Sequence, residues 1–293
     1  MDNRAEIREF LVTRRAKLRP EDTGLPDFGG IRRVPGLRRE EVALLAGVSV
    51  EYYTRLERGG LAGVSDSVLD ALVRALQLDD AERDHLFNLA RAAGPAPRST
   101  RRKRGQVSAS LQRLLDGMTG VPAFIRNGRL DVLAINALGQ MLYSEAFVSP
   151  QRPVNLARFC FLDEGAHRLY PDWQTAADTA VALLHTEVGR DPSNEELTEL
   201  VGELSTRSQQ FRTLWAKHDV RLHQSGYKDF RHPAVGDLRL SIDALELPAQ
   251  RGLTLTAYSA EPNTPSEGKM RRLAELTFGP DQRPLASEAP SSR

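Results

Sequence analysis

The sequence predicts an all-α domain followed by an α+β domain built on an antiparallel sheet of about five strands. Three observations carry that reading. Apolar residues recur at helical spacing through residues 1–93. A basic stretch containing Pro and Gly interrupts the chain at 94–106. Beyond it, short β-like segments flank a long helical one.

The front segment reads as five short helices. Arg4 to Leu18 places Ile7, Leu11 and Val12 at helical spacing, and Pro20 ends the pattern. A loop rich in Gly, Pro and Asp follows to Gly36. Leu37 to Ala46 puts Val42, Leu45 and Ala46 on one face, and Gly47 breaks it. Ser49 caps a helix to Arg58, Ser65 caps one carrying Val68, Leu69, Leu72 and Leu76, and Asp79 opens a fifth with Leu86, Phe87, Leu89 and Ala90 inward. Residues 1–93 are read as one domain and 94–106 as a linker. The run Arg101, Arg102, Lys103 and Arg104 is either a phosphate contact or a solvated connector.

The rear domain is read over 107–278. Val107 to Met118 is helical, and the apolar segments Val121 to Arg126 and Arg129 to Ile135 flank Asn127-Gly128, a hairpin pattern because both residues tolerate positive φ. Asn136 to Lys217 is mainly helical. Tyr227 to His232, Leu238 to Leu247 and Leu253 to Ala260 return to strand patterns. Strands around a helical insertion suggest an α+β sensor domain resembling a PAS fold rather than repeated βαβ units. Residues 279–293, rich in Pro, Ser and Glu, are predicted to be disordered.

Composition narrows the class. The chain has 293 residues, 40% of them apolar, enough for a substantial core. No apolar run approaches the roughly 20 residues of a membrane span, and MDNRAEIREF lacks a secretory apolar stretch. The single Cys160 excludes an intrachain disulfide and a cysteine metal cluster, which fits a reducing cytoplasm. The net charge of +1 hides an asymmetry. Residues 1–106 hold 20 Lys/Arg and 16 Asp/Glu, a balance of +4, while 107–293 hold 20 and 23, a balance of -3.

The segment Leu37 to Gly59 has the mechanics of a helix-turn-helix. Ala43 is small where two helices meet, Gly47 permits the turn, and Val48, Tyr53 and Leu56 seat the second helix. That leaves Val50, Glu51, Thr54 and Arg55 facing a major groove. Arg55 suits guanine, Glu51 suits cytosine, and Val50 suits a thymine methyl. Arg38 and Arg39 suit phosphates, with Ser49, Tyr52 and Arg58 as further backbone contacts. The expected partner is double-stranded operator DNA at the nucleoid, bound by a homodimer, since one such helix reads few bases.

The stretch ending Tyr52-Tyr53-Thr54-Arg55-Leu56-Glu57-Arg58-Gly59 closely resembles the helix-turn-helix of phage-repressor-like (XRE-type) regulators of actinobacterial form. On that resemblance Arg39 takes the backbone-clamping position, and Val50, Glu51 and Arg55 take base-reading ones. Further on, Val132-Leu133-Ala134-Ile135-Asn136, Leu169-Tyr170-Pro171-Asp172-Trp173, Phe211 to Val220 and Phe230-Arg231-His232-Pro233 resemble the MmyB-like ligand-binding domain. One departure is Ile135, where many relatives carry Trp. The resemblance implies a PAS-like domain that binds a small apolar molecule, a fatty acid or natural-product intermediate, with no required cofactor.

Read from the residues themselves, Trp173, Phe211, Trp215 and Phe230 offer apolar surface, as do Phe124, Leu133 and Ile135. Asn136, Tyr170 and His218 offer polar handles. Core packing explains each aromatic equally well. A protein-interaction or dimerisation module without a ligand is the alternative. Catalysis is not expected: adjacent His218-Asp219 do not face each other on a helix, and His218 and His223 lack the pattern of a zinc site.

Overall fold

The computed structural model describes residues 3–25, 36–94, 107–192, 194–217, 225–250 and 252–279. The basic run 101–104, His218-Asp219 and the tail beyond 279 lie outside the described residues. The chain divides into two compact units: Met1–Thr100 with Val181–Leu222, and Arg101–Ala180 with His223–Arg293.

In the first unit, α1 (Asn3–Lys17) precedes a 3-10 turn at Pro20–Thr23, then α2 (Arg39–Ala46), α3 (Val50–Glu57), α4 (Asp66–Ala75) and α5 (Asp80–Ala93). All five are the predicted helices. Asp79 and Glu82 form a reciprocal cap: the Glu82 N–H donates to Asp79 at 2.8 Å and the Asp79 N–H to Glu82 at 3.1 Å. Ile7, Phe10 and Leu11 of α1 join Val42, Tyr53, Leu56, Leu72, Leu86 and Leu89 in one buried cluster.

The second unit opens with α6 (Ala109–Asp116) and the strands β1 (Ala123–Asn127) and β2 (Asp131–Ile135). Helix α7 (Ala137–Leu142), the two-residue strand β3 (Val154–Asn155), α8 (Leu156–Leu162) and α9 (Gly165–Leu169) follow. Helix α10 (Trp173–Arg190) runs through the division between the units and leads to α11 (Glu195–Arg207) and α12 (Gln209–Trp215), which belong to the first. The chain re-enters the second unit with β4 (Ser225–His232), β5 (Gly236–Glu246), β6 (Leu253–Ser259) and α13 (Pro265–Phe278).

The sheet is antiparallel with order β3-β2-β1-β6-β5-β4. The sixth strand, beyond the expected five, is β3, too short to leave a period-2 pattern. The hairpin lies where Asn127-Gly128 placed it, but the positive φ falls on Leu130, at 67°. The Asn127 side chain holds that turn by accepting from the Asp131 N–H at 3.0 Å and donating to Asp131 Oδ2 at 2.9 Å.

One sheet face carries a large cluster with Phe124, Tyr143, Tyr170, Phe230, Leu238, Leu240 and Tyr258, closed by residues of α7, α8, α9 and α13. The other carries Ala123, Ile125, Ala134, Leu253 and Leu255 beneath Leu111 and Leu115 of α6.

Candidate nucleic-acid interface and aromatic core

The turn between α2 and α3 is set by Gly47 at φ 65°. The Val48 N–H donates to Ala43 O at 3.0 Å and the Gly47 N–H to Leu44 O at 3.2 Å, so the last carbonyls of α2 are satisfied while the chain reverses. Ser49 Oγ accepts from the Tyr52 N–H at 3.1 Å and starts α3. Tyr53 and Leu56 are fully buried and fix the rotation of α3 about its axis.

That rotation leaves Val50, Glu51 and Arg55 exposed and Thr54 half-buried. Together with Arg4, Arg58 and Gly60 they line an open depression of about 690 Å³. Three arginines against one glutamate give it positive character, suited to a polyanion. The Arg55 guanidinium lies 4.6 Å from the Tyr52 ring centroid, which restrains a long side chain along the outer face of the helix.

Glu57, almost fully buried at the end of α3, ties three helices together. It accepts from Arg15 Nε of α1 at 2.7 Å and from Arg39 Nε of α2. Arg15 also donates to Leu37 O at 2.8 Å. Arg39 is therefore anchored through one edge of its guanidinium while its side chain stays half exposed. The Arg38 N–H caps α2 by donating to Glu41 at 2.6 Å.

In the second unit, Tyr143, which caps the end of α7, meets Phe124, Phe230 and Tyr258 at ring-centroid distances of 5.6, 5.6 and 6.0 Å. The hydroxyls of Tyr143 and Tyr258 share a hydrogen bond of 2.6 Å. Burial raises both phenols well above their ordinary range, so they stay protonated. Into this group points Lys228 of β4, its Nζ 4.4 Å from the Tyr170 ring centroid.

Residues 9–86 match a helix-turn-helix domain, and residues 107–273 match the MmyB-like transcription regulator ligand binding domain. The chain belongs to the MmyB-like transcription regulators. No curated protein matches it.

In this regulator Val50, Glu51, Thr54 and Arg55, the set expected to read bases, are brought together on one face, with Arg58 beside them. Arg4, on the same depression, was not anticipated because it comes from the start of α1. Gly59, at φ 95°, permits that close approach, since a Cβ there would stand 2.7 Å from Arg4 Cβ.

The residues expected to contact a ligand fall into separate places. Phe124, Tyr170 and Phe230 lie in the aromatic cluster, with Ile135 and Trp173 at its margin. Leu133 packs on the opposite sheet face. Asn136 is engaged in structure: its Oδ1 accepts from the Ala123 and Gly139 N–H groups at 3.0 and 2.7 Å, and its Nδ2 donates to Met118 O and Val121 O, both at 2.7 Å.

Phe211 and Trp215 belong to the first unit. There Trp215 stacks on the buried His185 with centroids 3.7 Å apart. His185 Nε2 is 3.1 Å from Trp215 O, and Nδ1 is 3.3 Å from Glu6 Oε1. Sequence reading also missed Tyr143, Tyr258 and Lys228. The signal that could have found Lys228 is a lysine at the inward phase of Lys228-Asp229-Phe230-Arg231-His232.

Proposed function

We propose that this regulator binds operator DNA sequence-specifically through the outward face of α3, as a homodimer, and that its rear domain adjusts occupancy in response to a small, largely apolar molecule. The observation that carries the DNA reading is the placement of Val50, Glu51, Thr54 and Arg55 on one exposed face of a helix seated by Tyr53 and Leu56. A helix so presented enters a major groove, and side chains of these types match base edges there. Arg4, Arg38, Arg39, Ser49, Tyr52 and Arg58 then serve the phosphates.

The ligand reading rests on the family of the rear domain and on the aromatic surfaces gathered beneath the sheet. A ligand regulates only if it binds the DNA-competent and DNA-incompetent states unequally. We take the chain to act without catalysis. Burial pushes the Cys160 thiol up to about 12, which removes it as a nucleophile at neutral pH.

No helix among the described residues is long and apolar enough to cross a membrane, and cytoplasmic action on DNA fits that. Footprinting at physiological salt with operator titration tests the proposal. Protection of a discrete two-fold site, shifted by a compound retained through purification, is the expected result. Equal protection of every duplex sequence would overturn specific regulation.

A further inference from the structure

Lys228 is a cation placed where a cation is costly. On β4 it shares the inward phase with Phe230 and His232, and it pairs across the sheet with Leu240. Its Nζ lies 4.4 Å from the ring centroid of Tyr170, 5.5 Å from that of Phe230 and 5.7 Å from that of Tyr143. Its hydrogen bond goes to Tyr143 Oη at 3.4 Å. Among the described residues it has no carboxylate partner. Desolvation lowers its pKa to about 8, with Arg126 adding to the fall and Cys160 opposing it. The residue as a whole is half-buried.

Three ring faces and a hydroxyl surround an amine that lacks a carboxylate partner among the described residues, and a desolvated amine of this kind suits a neutral electrophile. We propose that Lys228 is a covalent capture site, condensing reversibly with the aldehyde or ketone group of an apolar ligand. This rests on the ligand-binding reading above and names the chemical class of the ligand.

Nζ, as the free amine, attacks the carbonyl carbon. A C–N bond forms, and one nitrogen proton passes to the carbonyl oxygen to give a carbinolamine. The C–O bond then breaks. The departing hydroxyl leaves as water with a proton relayed from nitrogen through the Tyr143 hydroxyl, which gives one proton as it takes the other and stays a phenol. The product is a neutral imine, so nothing is oxidised or reduced and the burial penalty of the ammonium is relieved. At neutral pH more of Lys228 is free amine than of an unperturbed lysine. Desolvated lysines in apolar pockets are activated nucleophiles for this reason.

The chain has five lysines, Lys17, Lys103, Lys217, Lys228 and Lys269, so site assignment is simple. The full chain is incubated with octanal, trapped by borohydride reduction and mapped by peptide mass spectrometry, with 1-octanol as a non-condensing companion measured by thermal shift. The expected result is one octyl group on Lys228, at least tenfold above every other lysine, rising with pH to a plateau above about 8 and slowed by Tyr143→Phe. Lys228→Arg abolishes it, although wild-type mapping alone assigns the site. If octanol and octanal both raise the melting temperature but Lys228 is not modified above the other lysines, the capture proposal fails and the ligand reading survives. If neither compound shifts melting and Lys228 stays unmodified, both fail.

Discussion

Arg55 on α3 and Lys228 on β4 make the same contact in opposite surroundings. Each cation lies against a tyrosine ring, at 4.6 Å over Tyr52 and 4.4 Å over Tyr170. Arg55 is exposed, beside Arg4 and Arg58, on a depression that a polyanion would fill. Lys228 Nζ is enclosed by Tyr143, Tyr170 and Phe230, with its charge disfavoured by burial. Solvent, rather than residue type, separates the two roles. In water the ring restrains a charge that stays available, whereas under the sheet the same contact leaves an amine ready to lose its proton.

The two regions also differ in how they are held together, and the largest expected effects test this. Phe230→Ala removes a fully buried ring shared with Tyr143, Tyr170 and Tyr258. A loss of about 3–5 kcal/mol in urea unfolding is expected. A loss below about 1 kcal/mol would mean that the cluster yields easily and is no fixed cage. Glu57→Ala strips the shared partner from Arg15 and Arg39, and a cost of about 3–5 kcal/mol follows if this triad fixes α3 to α1 and α2.

Smaller effects sharpen the contrast between the cations. Arg55→Ala should cost about 1–3 kcal/mol of operator affinity with an unchanged melting temperature. Lys228→Met should instead act on stability, raising it at pH 7 by about 1–2 kcal/mol. The sign follows from protons bound. Between about 8, the folded value, and the ordinary lysine value the unfolded chain binds more protons than the folded one. Wild-type stability therefore rises with pH across that window, and the advantage of Met shrinks over the same range. Thermal melts at several pH values show this directly. Ser49→Ala, losing the cap on α3, should cost about 1 kcal/mol.

How much of this was legible in the sequence tracks the distance along the chain over which each feature is made. The α2–turn–α3 unit is contiguous, and each of its parts acts on residues three to five positions away: Gly47 at the turn, Ser49 at the cap, Tyr53 and Leu56 inward. Arg4 escaped because packing against Gly59, far along the chain, brings it to α3. The aromatic cluster is non-local throughout. Tyr143 and Tyr258 bond across 115 positions, and Lys228 reaches Tyr143 across 85.

Phe211 and Trp215 show a different case, since their aromatic character was visible but their neighbours were not. They pack in the first unit beside His185. Asn136 was readable as polar but not as fully occupied, because its four partners include two loop carbonyls outside any periodic pattern.

The central claim, that the exposed face of α3 reads bases, is tested most directly by selecting bound duplexes from a random pool at physiological salt, in parallel for wild type and Arg55→Ala. Wild type should yield a defined two-fold consensus. The variant should keep that consensus except at one base pair in each half-site, where the preference for guanine is lost. An unchanged consensus for Arg55→Ala, or no consensus for wild type, would contradict it.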